Sequence, residues 1–486
     1  MNHWRVFFSG IMLFLFLSIT AKAQGIDTIW AHSYPKGHDY WDTLGSAAVT
    51  SDGGFILVGP CAASGSSVTD IHLIKTDSDG NYDWGKVIGD EHWQGAYHVL
   101  ETWDGGYFIS AHSDAFGDAP WDQRIWVFKT DANGDTLWSY PFTNIDQMGY
   151  PVCAVETIDS GFAVTGHIYV PGYSIQGFIL KLDRDGNHQW HGHYGDIGQQ
   201  YAESIVQLPD SGFIINGTQP GFLSEIWAAR TDKNGTKIWD STYAPTPSHD
   251  LSYGSCLVDD GVIMVGYCQG ESWLHKIDFD GNTLWSKSIT RYPTGERAFT
   301  ICPTSTGGFM VGGWVGVAGH GRDYCFTRVD EIGDTMWTYV VGFDSSGSGD
   351  DRGQCVMETP DGGFAIAGLV PTSSGERIGM AKIGEVFLDA NSEPLTDLPS
   401  AFELIANYPN PFNPETTIEF RLPVRSKIEL AVYNILGQKV AVLLDETRPA
   451  GNHRIKWDAV EFPSGLYFCR LKAHDYIQTQ KMLLLK

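Results

Sequence analysis

The chain has 486 residues, 42% of them hydrophobic and 13% aromatic, with 56 Gly: enough for two or three well-packed, turn-rich domains, and too apolar for a disordered chain. Its 58 acidic residues outnumber 32 basic ones for a net charge of −26, which sets it against nucleic acid and anionic membranes, since both would repel it.

Residues 1–23 read as a secretory signal, with Arg5 in the positive region, Val6 to Ile19 as the apolar run and Ala21-Lys-Ala23 as a small-residue cleavage site. The run is shorter than the ~20 residues of a spanning helix. No Cys follows the cleavage site to carry a lipid, and no later segment is apolar enough to span a membrane, so the expected product is an exported, soluble chain. Eight Cys are scattered without C-x-x-C spacing. Cys256 with Cys268, or Cys302 with Cys325, could bridge in an oxidising compartment, or each could be a small buried hydrophobe.

From residue 24 onwards one frame recurs: Asp, Gly three later, Trp four after that. Six copies stand at Asp77/Gly80/Trp84, Asp131/Gly134/Trp138, Asp183/Gly186/Trp190, Asp232/Gly235/Trp239, Asp278/Gly281/Trp285 and Asp330/Gly333/Trp337, each preceded by a cation two residues earlier. A second marker, Asp52-Gly-Gly-Phe55, recurs with its last position at Tyr107, Phe162, Phe213, Val262, Phe309 and Phe364. A fixed period marks a repeat array. Each unit divides into four short strands bounded by Gly and Asp, as at His98 to Thr102, Tyr107 to Ala111, Ile125 to Thr130 and Thr136 to Phe142. Runs such as Phe55-Ile-Leu-Val58 are apolar on both faces, so both faces need cover. The Asp-to-Gly segment suits a tight hairpin, and the Trp a seat against a neighbouring sheet.

The array is incomplete at its end. Met380-Ala-Lys382-Ile-Gly384 keeps the cation but lacks the Trp strand, whereas Asp27-Thr-Ile-Trp30 supplies that strand at the other terminus. The N-terminal strand is therefore expected to complete the last sheet and close a ring, which an open solenoid would not require. Over Asp27 to Gly384 these units resemble those of seven-bladed β-propellers in exported bacterial proteins. The resemblance implies the fold and leaves the function open.

In such a blade two turns are short and repetitive, and the other connections, long and irregular, share the opposite face, where binding is usually placed. Aromatic and charged residues that the repeat does not require single out Tyr40, Trp41, Asp42, Glu91, His92, Trp93, Trp121, Asp250, Glu296, Arg297, Trp314, Asp351 and Arg352 as candidate ligand contacts. Flat aromatic surfaces beside carboxylates suit a carbohydrate or peptide. No catalytic or metal-ligating residues are assigned. The Asp-x-Asp-Gly turns lack the distal Glu of a calcium loop, leaving only weak calcium binding open. Alternation puts His191 and His193 on one side of a strand and His188 on the other. Neither G-x-S-x-G nor H-E-x-x-H occurs, although a pair of loop carboxylates has no local signature.

Residues 385–404, with Pro394 and Pro399, lose the repeat and read as a linker. Beyond it, 405–486 carries Asn407-Tyr-Pro-Asn-Pro-Phe-Asn-Pro414, Gly437-Gln-Lys-Val440, Ser464-Gly-Leu-Tyr-Phe468 and Lys481-Met-Leu-Leu-Leu-Lys486. The alternation in Ile418/Phe420/Leu422 and Leu430/Val432 predicts a small β-sandwich of about seven strands. This segment resembles the C-terminal sorting domain of the bacterial type IX secretion system, related to immunoglobulin-like domains. The resemblance implies transit through the periplasm, recognition of the folded domain by the outer-membrane machinery, and a secreted or cell-surface product. The expectation is thus an all-β chain, a seven-bladed β-propeller closed by its N-terminal strand and followed by an immunoglobulin-like sandwich. Its expected role is non-catalytic binding of a glycan, peptide or protein; the rivals are a polysaccharide-acting enzyme using loop carboxylates and a structural adhesin.

Overall fold

The computed structural model describes residues 25–34, 41–42, 44–62, 68–117, 122–143, 148–172, 174–195, 198–290, 295–317, 321–343, 351–372, 375–386, 403–422, 426–448, 451–473 and 476–486. The expected signal segment, most of the expected linker, Tyr40 and Trp121 lie outside them.

Seven antiparallel sheets follow one another along the chain. Blade 1 comprises Ser46–Val49, Phe55–Ala62, Asp70–Thr76 and Tyr82–Ile88, with Trp41–Asp42 continuing its inner edge. Blades 2 to 6 occupy 94–141, 149–194, 201–243, 250–288 and 296–341. Blade 7 has Arg352–Glu358, Phe364–Thr372 and Gly375–Val386, and takes Gly25–Ser33 as its outer strand, with Trp30 opposite Lys382 and Asp27 opposite Gly384. The N-terminal strand thus closes a seven-bladed β-propeller.

Radial packing accounts for the two-faced apolar strands. In Phe55–Ala62, Phe55 and Leu57 enter the core shared with blade 7, while Ile56 and Val58 enter the core shared with blade 2. All four side chains are fully buried. Such strands need a neighbour on each side, and only a closed ring gives every blade two.

The recurring residues are the joints between and within blades. In six of the seven blades the Trp of the outer strand lies against the turn Gly of the next blade: a Cβ on Gly80 would come within 2.6 Å of Trp30, one on Gly186 within 2.6 Å of Trp138 and one on Gly235 within 2.5 Å of Trp190. The same glycines adopt φ of +72° to +83°, so the position demands Gly twice over, for backbone and for space. The turn Asp holds the hairpin from inside: Asp77 Oδ1 accepts the amides of Asp79 and Asn81 at 2.9 and 2.8 Å, and its Oδ2 accepts Asn81 Nδ2 at 3.0 Å. The preceding cation reaches back to the other turn of its own blade, as in Lys75–Asp52 at 2.8 Å, Lys181–Asp159 at 3.0 Å and Arg230–Asp210 at 2.7 Å. A further link is made six residues before the aromatic marker: Glu101 accepts Ser51 N at 2.6 Å, Glu156 accepts Trp103 N at 2.8 Å and Glu358 accepts Ser305 N at 2.9 Å, each joining a turn to the next blade.

Gly186→Ala therefore combines a left-handed alanine, costing about 1 kcal/mol, with overpacking against Trp138, costing about 1–3 kcal/mol more. Gly105, at φ +83° with nothing within 4 Å of the point a Cβ would occupy, isolates the backbone cost. Thermal melts are expected to show a clearly larger drop for Gly186→Ala than for Gly105→Ala. Equal drops would remove the Trp–Gly seam as a determinant of stability.

The C-terminal segment forms a second unit of seven strands in two sheets, one of Glu403–Tyr408, Glu415–Leu422 and Gly451–Asp458, the other of Lys439–Arg448, Ser426–Asn434, Gly465–Ala473 and Tyr476–Leu484. Ile418, Phe420 and Leu422 meet Leu430, Val432 and Trp457 in its core. The Asn-Pro-rich segment clasps the final strand: Asn410 donates to Lys481 O at 3.0 Å and accepts Leu483 N at 2.9 Å, and Phe412 N donates to Leu483 O at 3.0 Å. Among the described residues no disulfide forms, and all eight Cys, the two expected pairs included, are unbridged and at least partly buried.

Candidate functional site at the channel mouth

The long-loop face is built on the starts of the inner strands. Each inner strand of blades 2 to 7 carries a bulge after its third or second pairing, and the extra residues are Tyr97, Val152, Glu203, Tyr253, Phe299 and Gln354. An inner strand has no partner on its axial side, so its bulge turns a residue toward the central channel.

In blades 3, 4 and 6 the residue two places before the bulge reaches toward the second strand of the preceding blade. Tyr150 meets His112 with ring centres 5.4 Å apart, Tyr201 meets His167 at 4.9 Å, and Arg297 stacks on Tyr267 at 4.6 Å. Tyr97 contacts both His112, at 5.4 Å, and Tyr150, at 6.4 Å, and Tyr150 stacks on His167 at 5.3 Å. An unbroken run of rings thus crosses blades 2 to 4. Across blades 5 and 6, Tyr253 packs on Phe299 at 4.9 Å, and Arg297 lies 6.0 Å from the Tyr253 ring and 5.8 Å from the Trp314 ring. Arg322 lies over the same Trp314 at 4.2 Å.

The run of rings across blades 2 to 4 is uncharged at neutral pH, and the positive charge of the crescent lies at Arg297 and Arg322 across blades 5 and 6. Burial depresses His112 and His167 to about 4 and raises Tyr97 to about 12, with Tyr150 a lesser contributor. Burial also raises Glu203 on the channel wall to about 7. Burial raises Tyr253 too, Arg297 opposing and Glu203 reinforcing the shift.

The sequence-selected residues separate into groups. Arg297 and Trp314 stand together in the crescent. Asp250, Glu296 and Asp351 share one register position, the first of the inner strand or the residue before it, and are at most 3% exposed. Asp250 accepts both the amide of Thr246, at 3.1 Å, and its hydroxyl; Asp351 accepts Phe343 N at 2.8 Å. Glu296 lies 3.5 Å from Thr327 Oγ1. These candidate ligand contacts are buried: Glu296 faces Thr327 on the third strand of its own blade, and Asp250 and Asp351 clasp the incoming loop onto the strand. Gln94 does the same for Asp90, at 2.6 Å. Asp42 occupies the equivalent register opposite Cys61, beside Trp41 opposite Ala62. Glu91 is exposed and His92 and Trp93 are half-buried, on the link tied down by Asp90, 3.0 Å from His92 Nδ1, and by Asp114, 2.8 Å from Trp93 N. Arg352 lies 3.8 Å from Glu376.

Tyr97, Tyr150, His167, Tyr201, Tyr253, Tyr267 and Glu203 were not singled out from sequence. A signal existed: twelve residues before Phe162, Phe213 and Phe309 stand Tyr150, Tyr201 and Arg297. The His expectation also changes. Gln189 is an extra residue between the pairs Lys181/Trp190 and Leu182/His188, and this bulge brings His188 onto the side of His191, with their nitrogens 3.0 Å apart. Among the described residues no group of three or more His, Cys, Asp or Glu is arranged to hold a metal.

Two grooves of about 340 and 560 Å³ lie on the opposite face, lined by Lys129, Asp104 and Trp138 and by Lys181, Asp159 and Trp190. They are successive copies of the blade seam, with Lys and Asp already paired, so the irregular face is the better place for a ligand.

The fold defines a seven-bladed β-propeller with an appended immunoglobulin-like domain. Residues 406–485 match the family model described as the secretion system C-terminal sorting domain, and the protein is a secreted or cell-surface cargo of the type IX secretion system. No helix among the described residues is long and apolar enough to cross a membrane. No curated protein matches the chain. Among solved structures it is similar to PorZ, a surface component of the type IX secretion system of Porphyromonas gingivalis, at 10% identity and TM-score 0.43, covering 93% of this chain and 60% of that one. It therefore spans less than two thirds of that protein's length. Others are a protein of unknown function from Dyadobacter fermentans, at 9% identity, TM-score 0.45, covering 74% of this chain and 99% of that one, and a puromycin hydrolase, at 12%, 0.46, 78% and 58%.

Proposed function

We propose that this cargo is a non-catalytic binding module that holds an extracellular glycan at the mouth of its channel. The carrying observation is the crescent itself: half-buried rings of Tyr97, Tyr150, His167 and Tyr201 in consecutive contact, fixed on strands and not on loops. Rigid aromatic faces offer large apolar area at low entropic cost, with the Tyr hydroxyls placed to orient polar ligand groups. Burial of Asp250, Glu296 and Asp351 supports the non-catalytic reading over the polysaccharide-acting enzyme, whose acid and base need access to substrate.

The test is a glycan array followed by calorimetry with the mature chain. Tyr201→Ala is expected to weaken binding of the selected glycan about tenfold or more, as for a buried aromatic anchor, without lowering the thermal midpoint to the assay temperature. Release of shortened sugars by the wild-type protein would favour the enzyme instead, and an array without any hit would remove the glycan.

A further inference from the structure

We infer that the channel-mouth site selects an acidic glycan, with Arg297 as the residue that receives a uronate carboxylate; this rests on the glycan reading and adds the charge of the ligand.

The blades provide an internal comparison. At the register position of Arg297, blades 3 and 4 place Tyr150 and Tyr201, each packed on the preceding blade. A tyrosine therefore suffices to fill this seam. Blades 6 and 7 instead place arginines there, but Arg352 of blade 7 has Glu376 3.8 Å away, whereas Arg297 of blade 6 has no carboxylate in ion-pair contact among the described residues: its guanidinium is surrounded by Tyr253, Tyr267 and Trp314, and its Nε is buried without a hydrogen-bond partner. Among the described residues no carboxylate forms an ion pair with Arg297, although the chain carries 58 acidic residues against 32 basic ones.

Stacking satisfies the faces of the guanidinium plane and leaves its edge. That edge is a fork of N–H donors whose spacing matches a carboxylate, and the aromatic surroundings raise the strength of such a bond by excluding water. The same rings offer flat apolar area to a pyranose. A half-buried Arg held this way is preorganised, so little side-chain entropy remains to be lost when the anion arrives. A neutral sugar would leave the fork unpaired and would displace its water without replacement, which is the source of discrimination.

The internal comparison also supplies the test. Arg297→Tyr installs the residue that blades 3 and 4 use, keeping the seam and removing the charge. Isothermal titration of the mature full-length protein would use a linear trigalacturonate, its triamide as an isosteric uncharged control, and a Glu-rich peptide of equal charge. The expected result is tight binding of the trigalacturonate, about 10- to 100-fold weaker binding by Arg297→Tyr, and weakening of the wild-type interaction by added salt. The triamide is expected to bind Arg297→Tyr at least as tightly as wild type, since the variant has no fork to leave unpaired. A triamide bound by wild type as well as the acid is would overturn the charge selection and leave the glycan site standing. Binding of the peptide in preference to both sugars, or of no sugar in either protein while Tyr201→Ala changes nothing, would overturn both readings. Arg297→Lys separates fork from charge: retention of full affinity would overturn the bidentate contact.

Discussion

Lowering the pH from 6.5 towards 4 is expected to unfold the propeller steeply, because four histidines are buried in neutral form. Burial depresses His98, His112, His167 and His275 to about 4. His98 Nδ1, both nitrogens of His112 and His167 Nδ1 have no hydrogen-bond partner to stabilise a cation. In the unfolded chain each would titrate near 6.5, so between 6.5 and 4 the unfolded state binds more protons. The stability these groups contribute is complete above 6.5 and is lost as the pH falls through that window. At pH 5 each costs up to about 2 kcal/mol, and four together are comparable to the whole stability of a typical domain. Glu203 acts in the opposite direction: its folded pKa is raised from 4.5 to about 7, so its contribution is complete below about 4.5, is lost between there and 7, and adds no slope above that. Thermal midpoints measured from pH 4.5 to 8.5 should therefore peak between about 6 and 7, with the steeper limb on the acid side. His112→Phe should flatten that limb, and Glu203→Gln, which removes an opposing slope that ends near pH 7, should steepen it. A midpoint constant from pH 4.5 to 7 would show that these imidazoles reach water.

The ring was legible in the sequence because its joints are repeated chemistry. Turn Asp, turn Gly and outer Trp are three contacts that every blade with a continuous outer hairpin makes, so the same residues recur at the same spacing. The missing Trp strand after Lys382 and the surplus one at Trp30 told of closure for the same reason. Less legible were joints that different residues can make. Gln207 at 2.8 Å from Ile158 N does what Glu156 does for Trp103, and no pattern search for one residue type finds both.

The candidate site was only half legible. Loop residues attract notice by being unlike the repeat, yet Asp250, Glu296 and Asp351 are buried against their own blades, and the aromatic crescent sits on strands at fixed offsets from the repeat markers. Inner-strand bulges decide which of these side chains turn toward the channel, and a bulge adds one residue without leaving a Gly or Pro to mark it. His188 misled for that reason: simple alternation put it on the wrong side, and the extra residue Gln189 returned it to His191. Arg297 and Trp314 were found from both directions, since they interrupt the repeat and also lie at its register.

Removing residues 25–33 from the mature chain should disrupt the propeller more than any single substitution, because that strand leads covalently into blade 1 while pairing with blade 7. Its ladder with Gly375–Val386 runs from Gly25 opposite Val386 to Ser33 opposite Gly379. Its Trp30 lies against Gly80 and, edge-on, 5.8 Å from Phe55. Just beyond it, Tyr34 is buried and donates its hydroxyl to Gly80 O at 3.1 Å, in a cluster that includes Leu44 and Phe55 of one side and Ile378 and Met380 of the other. Loss of a packed Trp alone costs about 3–5 kcal/mol. Here the whole ladder goes with it, leaving Gly375–Val386 as a bare sheet edge that invites pairing with another chain. The shortened protein is expected to lose its cooperative melt and to aggregate in size-exclusion chromatography. Trp30→Ala, which keeps the ladder, should remain monomeric with a melting point lowered by several degrees. If the shortened chain instead stays monomeric and melts with the wild type, then the contact across blades 7 and 1, such as Cys355 Sγ to Ala47 O at 3.2 Å, suffices to hold the circle, and the N-terminal strand is an edge cover and not its clasp.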